Sequence, residues 1–541
     1  MTPMDASCEK LPQNSSPVKT GTYLNPSNNG FAESLRSEIY VDKSGLIAHT
    51  NRKLKTKQKF ICVSRPRRFG KTMAAEMLVA YYGLSCDSSE LFSNLCIAND
   101  KSYAEHLNKY IVIFLNITQF LRGSNNIDDI LTKIRSKIVR DISKIYPGLL
   151  SSEPQDDLID VLWELYSALG IPIIFIIDEW DCLFREYKTD SSAQKGYLDF
   201  LRDLLKDKEY VALAYMTGIL PIKKYGKHSA LNMFDEFSMT DPGVLSKFVG
   251  FTQDEVVSLC DRYQMDYNEI SRWYNGYKFP DVESVYNPRS VVTALLSRRC
   301  NDYWTRTETY EALRVYFKMN HDGLKDIVAN LLTGNRKKVD TAAFSNDMVT
   351  FETCDDILTL LVHLGYLGFD LETREVFIPN KEISDQFVTA IKNVDWKEIT
   401  TALKASDDLL QATWRGDSKM VAQMIDSIHD ECSHLQYNNE NSLSQVIDTA
   451  YYTAKNYYEK TREMPAGKGF ADIVFTPLKN HKDKPAMIIE LKWDKSADTA
   501  IKQIEDKQYS KALKDYKGNI LCVGINYDKK SKKHECEINR L

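Results

Sequence analysis

The chain has 541 residues, 43% hydrophobic and 27% charged, with a formal net charge of −5. That length exceeds what one hydrophobic core serves and suggests three or four domains, while the acidic balance argues against a nonspecific polyanion binder acting through its whole-molecule field. No apolar run approaches about 18 residues, the N-terminus lacks a signal-peptide layout, and the eleven cysteines include no C-x-x-C, so reduced thiols, a cytoplasmic setting and no membrane contact are expected.

In chain order, residues 1–30 are rich in Ser, Asn and Pro and predict a disordered arm. Phe60-Ile61-Cys62-Val63-Ser64 is a short apolar run, followed by Arg65-Pro66-Arg67-Arg68-Phe69-Gly70 and by Lys71-Thr72, which opens a run of helix formers to Tyr82. Strand, loop and helix in that order is the context of a phosphate-binding loop. Loop N–H groups and the positive helix end would face an anion. Lys71 would reach the β- and γ-phosphates of ATP, and Thr72 would ligate Mg²⁺. Arg65 stands where G-x-x-x-x-G-K-[ST] has its first glycine, so an ordinary strand-to-helix turn remains open for this stretch alone.

Tyr110 to Asn116 reads as a buried parallel strand, and residues 127–145 and 157–169 keep helical spacing. Pro172 to Ile177 is then an apolar strand ending in Asp178-Glu179. Carboxylates at the carboxyl end of a central strand lie where open α/β sheets bind ligands. Asp178 there would hold the Mg²⁺ hydration shell, and Glu179 would polarise the attacking water. A helix over 193–206, a strand Tyr210–Gly218 and a last strand from Phe234 to Met239 follow.

These motifs resemble the AAA-ATPase-like family, whose loop variant SRPRRFGKT also lacks the first glycine and which is often fused to a PD-(D/E)XK domain. The segments around Asp42-Lys43 and Glu90-Leu91-Phe92, and the IDEWD at 177–181, fit the same resemblance. So do Trp273-Tyr274-Asn275-Gly276-Tyr277, Tyr286-Asn287-Pro288 and Tyr303-Trp304, read here as packing within a helical lid. The resemblance implies a γ-phosphate sensor at Thr217, where a threonine capping a strand end is the equal alternative. Arg289 and Arg306 are candidate γ-phosphate contacts that the sequence does not separate. Residues 352–390, a helix, a hairpin and Ile378-Pro379-Asn380-Lys381-Glu382, resemble the family's winged-helix module; no basic cluster there favours DNA.

A second constellation lies near the C-terminus, where residues 431–541 carry 19 Lys/Arg against 16 Asp/Glu. Asp472 opens one strand and Glu490-x-Lys492 lies on the next. Alternation puts Glu490 and Lys492 on one face. Asp472 and Glu490 would hold Mg²⁺ or Mn²⁺, and Lys492 would orient or deprotonate the attacking water; a hairpin with solvated charges is the alternative. The order resembles a PD-(D/E)XK nuclease domain, which implies Glu440 as its early helical metal-binding glutamate and Gln503 and Tyr509 as further motif positions.

The expected fold is α/β: an AAA-like P-loop NTPase with a parallel sheet and a helical, winged-helix-like extension, plus a restriction-endonuclease-like α/β domain. The expected boundaries are 1–30 arm, 31–245 ATPase, 246–395 extension, 396–435 helical connector and 436–541 nuclease-like domain. The expected function is an ATPase regulating or positioning a metal-dependent nuclease that acts on DNA or RNA, with homo-oligomers allowed. The alternative is a signalling ATPase whose nuclease fold only docks nucleic acid or protein.

Overall fold

A computed structural model describes residues 20–541 apart from 151–156, 223–229, 305–308, 320, 343, 345–350, 393, 395, 432–439, 467–468, 479–480, 510–512, 514–515 and 517–518. The chain divides into two compact units, Met1–Thr309 with Arg336–Asp385, and Tyr310–Asn335 with Gln386–Leu541.

In the first unit, β1 (Phe60–Ser64), β2 (Ile111–Asn116), β3 (Ile173–Asp178), β4 (Val211–Gly218) and β5 (Asp235–Phe237) form a sheet in the order β2-β3-β4-β1-β5. Every pair is parallel. Parallel sheets are covered on both faces, so their strands read as unbroken apolar runs; β1, β3 and β4 are buried throughout. The register sets Val63 beside Thr217 and Asn116 beside Asp178. The polar residues that end these apolar runs therefore share one sheet edge, the carboxyl edge.

The helix Ile127–Ile145 matches the expected span. Asn126 Oδ1 accepts from the Asp129 N–H at 2.9 Å, an N-cap, and Ile130, Ile134, Ile138 and Ile142 form its buried stripe. Asp141 lies in that stripe, and its Oδ2 accepts from the N–H groups of Thr22 and Tyr23 at 2.8 and 2.7 Å. Asn25 then completes a false strand: its N–H donates to the Val112 carbonyl at 2.7 Å, and its Oδ1 accepts from the Val112 N–H at 2.8 Å. Of the expected disordered arm, residues 1–19 lie outside the described residues. Residues 20–30 correct that expectation: Tyr23 and Leu24 are buried, and the segment covers the edge of β2, which would otherwise expose unpaired backbone groups.

The expected helical run from Thr252 to Tyr277 is two helices, Gln253–Tyr263 and Tyr267–Tyr274, parted at Gln264, whose φ is +55°. Thr252 and Glu255 form a capping box on the first. Tyr277 falls on a strand instead, because β6 (Phe251–Thr252), β7 (Tyr277–Phe279) and β8 (Val282–Tyr286) pair as a small antiparallel sheet, in the order β6-β8-β7. Tyr274, Tyr286 and Tyr303 pack in one cluster with Val256, Leu259 and Ile270. Asn287 caps the helix Pro288–Ser297, with Pro288 in its first turn. Further on, β9 (Lys337–Lys338), the helix Cys354–Leu364, β10 (Gly368–Asp370) and β11 (Glu375–Phe377) give the expected helix and hairpin, with β9 as a third strand.

The second unit holds β12 (Tyr458–Ala466), β13 (Gly469–Pro477), β14 (Ala486–Trp493), β15 (Ile520–Asp528) and β16 (Lys533–Arg540), ordered β12-β13-β14-β15-β16. Only β14 and β15 run parallel, and the helix Ala497–Asp506 connects them. That helix lies on one face, with Ile501 and Ile504 against Val474, Ile488 and Cys522. On the other face, Leu409, Val421, Ile425 and Val446 pack against Ile473, Met487, Ile489 and Val523. The helices Lys397–Arg415 and Ser418–Glu431 are thus part of this core, not a connector, because their apolar stripes are the cover that face needs. Residues 310–335, expected in the extension, also belong to this unit.

Candidate functional site

At the carboxyl edge of the parallel sheet, β1 hands over to the loop, and Gly70 stands before the helix Lys71–Tyr82 with φ +90°. A side chain there would meet the strain of left-handed backbone, although space is open around its Cβ. The Thr72 hydroxyl donates to Asp178 Oδ2 at 2.8 Å. Thr217 donates its hydroxyl to Asp178 Oδ1, the Glu179 N–H donates to the same oxygen at 3.0 Å, and Asn116 Nδ2 donates to Oδ2 at 3.2 Å. Burial pushes the Asp178 carboxyl above its usual range, and the bonds from Thr217 and Thr72 oppose that. Lys71 Nζ donates to the Pro66 carbonyl at 2.9 Å; burial lowers its pKa, and the carboxylates of Glu179 and Asp178 pull it back up.

Glu179 takes a left-handed φ of +53°, which swings its carboxylate out of line with β3 and onto Arg185. Arg185 also reaches Asp181 Oδ2 at 3.5 Å. Burial would raise the Glu179 carboxyl, but Lys71 and Arg185 outweigh it and hold the pKa below the usual range. Arg67 to Thr72, Glu179, Arg185 and Arg289 line a cavity of about 760 Å³, whose remaining wall includes Ile39, Val41, Met77, Phe248 and Val292. A lining that combines charged and apolar side chains suits a ligand carrying phosphates and a flat ring.

Arg65 departs from the expected ligand set. Its side chain is buried and donates to the carbonyls of Ser64, Phe237 and Ser238 at 2.9, 2.9 and 3.0 Å. It lies over the Phe279 ring and does not line the cavity, and neither does Pro66. The position that lost a glycine thus gained a strut tying the loop to β5. The loop is also braced from outside: Trp304 Nε1 donates to the Arg67 carbonyl at 3.3 Å, and a Cβ on Gly365 would strike the Pro66 side chain at 2.7 Å. Trp304 is held in turn by Glu382, which accepts from the N–H groups of Tyr303 and Trp304 at 2.7 and 2.9 Å and from the Ser290 hydroxyl. Asp42 and Lys43 form a tie of the same kind, Asp42 accepting from the Cys96 N–H and Lys43 clasping both oxygens of Glu255 at 2.7 Å. Arg306 lies outside the described residues.

In the second unit, Asp472 Oδ2 accepts from the Leu491 N–H at 2.8 Å, which sets Asp472 against β14 next to Glu490. Lys492 Nζ donates to Glu490 Oε1 at 2.9 Å, and Gln503 Nε2 donates to the same oxygen and, at 3.3 Å, to the Tyr509 hydroxyl. The other oxygen, Glu490 Oε2, is buried without a hydrogen-bond partner among the described residues. Burial pushes the Glu490 carboxyl up, and Asp472 adds to this; burial likewise raises Asp472. An orphaned carboxylate oxygen beside a second carboxylate fits a divalent cation. Glu440 opens the helix Glu440–Ala450, and its side chain lies outside what the structure describes. Among the described residues no group of three His, Cys, Asp or Glu side chains is placed to hold a metal ion.

Sequence reading missed Asn116, Arg185 and the loop braces. Asn116 had a signal, a polar residue closing an apolar strand. Arg185 had none, because its role depends on the turn at Glu179.

Residues 31–226 match the family model of a predicted AAA-ATPase, and residues 438–537 match that of the PD-(D/E)XK nuclease superfamily. The chain therefore carries an AAA-ATPase-like domain and, C-terminal to it, a PD-(D/E)XK superfamily domain. No curated protein matches. Among solved structures, the ORC2 protein of Aeropyrum pernix, described in ADPNP–ADP complexes, matches with 12% identity over 68% of this chain and 96% of its own, at a TM-score of 0.30. Among the described residues no helix is long and apolar enough to cross a membrane.

Proposed function

We propose that this chain joins an ATP-hydrolysing P-loop ATPase to a metal-dependent nuclease acting on nucleic acid, with ATP turnover regulating or positioning the cleavage. The observation that carries the reading is convergence. Thr72 and Asp178 stand 106 residues apart yet meet beneath the loop, and on β14 Lys492 pairs with Glu490 Oε1 while Asp472 accepts from the intervening Leu491 N–H.

In the first unit, the loop N–H groups and the helix end at Lys71 face the phosphates. Lys71 would exchange the Pro66 carbonyl for a phosphate oxygen, and Thr72 and Asp178 would hold Mg²⁺. Glu179, kept ionised by Lys71 and Arg185, accepts a proton from the attacking water. Arg185 and Arg289, which line the same cavity, are candidate contacts for the developing charge. Thr217 holds Asp178 in place and so transmits a change at the phosphate into β4. In the second unit, Asp472 and Glu490 would hold the cation and Lys492 would orient the water, while Gln503, bonded to Tyr509, positions Glu490. Bound Mg²⁺ or Mn²⁺ supplies charge neutralisation and a more acidic water. The helix and three-stranded sheet within residues 337–385 serve as a winged-helix-like brace for the loop.

The test uses the full chain with plasmid, linear and single-stranded DNA or RNA, with and without ATP, in Mg²⁺ or Mn²⁺. Cleavage that changes with ATP, and loses that change in Glu179→Gln, supports the reading. Cleavage indifferent to ATP removes the coupling, and no cleavage with any cation leaves a docking module.

A further inference from the structure

We propose that the outer half of the β12–β13 ribbon grips an unpaired nucleic-acid strand, with the Phe470 ring stacked on a base next to the phosphate held at Asp472, Glu490 and Lys492. The inference rests on the nuclease reading and adds the class of substrate, single-stranded rather than duplex.

The ribbon leaves the sheet at the candidate centre. β13 pairs with β14 only over Ile473 to Phe475, whereas β12 and β13 stay paired out to Ala466 and Gly469. At roughly 3.4 Å per residue, Phe470 lies about 7 Å along the strand from Asp472. Phe470 is 62% exposed, more than any other large hydrophobic residue among the described residues. Pro465 stands directly across from it and is exposed as well. Directly opposed residues share a face, so the ribbon presents two apolar rings side by side.

The ribbon is also pinned to the centre. A Cβ on Gly469 would lie 2.9 Å from Lys507 Cδ and 3.2 Å from the Tyr509 hydroxyl, so glycine lets the strand close on that turn. Tyr509 accepts from Gln503, and Gln503 donates to Glu490. Gly469, Lys507, Tyr509, Gln503 and the candidate metal ligand Glu490 thus form one connected set, with Phe470 the next residue along the strand from Gly469. Lys507 offers the strand's backbone a positive charge, and the ring offers a base a flat apolar face, an interaction that tolerates any sequence. Bases within a duplex already stack on their neighbours, so the ring suits a single strand or a frayed end.

The experiment measures binding of fluorescent oligo-dT and of a duplex to the full chain in Ca²⁺, with nicking in Mn²⁺ run in parallel, for wild type, Phe470→Ala, Phe470→Trp and Lys507→Ala. Phe470→Ala is expected to weaken single-strand binding about tenfold, the lower part of the range for base–aromatic stacking, and to leave duplex binding unchanged; Phe470→Trp restores it. Lys507→Ala weakens binding and flattens its salt dependence. Wild-type cleavage with equal single-strand affinity in Phe470→Ala overturns the ribbon proposal and leaves the nuclease reading standing. Equal losses on single strand and duplex also overturn it, as does a Phe470→Ala variant whose only change is loss of self-association. A wild type that neither binds nor cleaves overturns both.

Discussion

The two candidate centres differ in what their carboxylates already touch. Beneath the phosphate loop both Asp178 oxygens are bonded, by Thr72, Thr217, Asn116 and the Glu179 N–H, Lys71 is folded onto Pro66, and Glu179 is paired with Arg185. In the second unit Glu490 Oε2 is buried with no hydrogen-bond partner among the described residues. A ligand at the first centre must exchange bonds, and such exchanges net only about 0.5–1.5 kcal/mol each. A cation at the second would relieve an unsatisfied group that costs about 1–3 kcal/mol. A ligand at the first centre would therefore rearrange existing bonds, whereas a cation at the second would complete one.

The largest expected effect tests completion. Asp472→Ala and Glu490→Ala should abolish cleavage, a loss of about 10³-fold or more if the cation contributes several kcal/mol at the transition state. Lys492→Ala should lose cleavage but keep the cation. Wild type should gain thermal stability with Mn²⁺, about 2.7 kcal/mol at a hundred times Kd, and Glu490→Gln should not. A Mn²⁺ shift that survives in Glu490→Gln places the cation elsewhere.

Rearrangement at the first centre is tested by Glu179→Gln, which should bind nucleotide and hydrolyse it about 10²–10⁴-fold more slowly, and by Lys71→Ala, which should lose binding in a titration. Full turnover by Glu179→Gln would take the water-polarising role away from that residue.

A third contrast concerns the brace. Burial pushes the Glu382 carboxyl up to about 7, with the Tyr303 and Trp304 N–H groups opposing the rise. A folded-state pKa above the unfolded one means that the folded protein holds the proton more tightly. The stability from that proton is complete below about pH 4.5 and is lost as pH rises through 7, about 3 kcal/mol over the window. Glu382→Gln, neutral throughout and able to accept the same two N–H groups, should flatten this slope in urea unfolding at pH 5 and pH 8. An unchanged slope assigns the titration to another group.

The smallest effect separates two roles for Thr217. Thr217→Val removes one donor from buried Asp178 and should cost about 1–3 kcal/mol of stability, while Thr217→Ser should be near wild type. Lost hydrolysis at unchanged stability would instead mark Thr217 as a sensor only.

The sequence by itself determined the local elements and the chemistry at their ends. Apolar runs closing on Asn116, Asp178 and Thr217 specify buried parallel strands with polar carboxyl ends, because a strand covered on both faces admits polar groups only where it stops. Glu490 and Lys492 share a face for the equally local reason of strand alternation. What only the tertiary structure decided depends on contacts between distant segments. Arg65 is a strut because β5, some 170 residues on, lays its carbonyls beside it. Residues 20–30 are ordered because Asp141 and the bare edge of β2 accept their backbone. The helices at 397–431 belong to the C-terminal core because a sheet face left uncovered there would expose Ile473, Met487 and Val523. Periodicity reports which face of an element is apolar; which surface buries that face is settled only when the whole chain has folded.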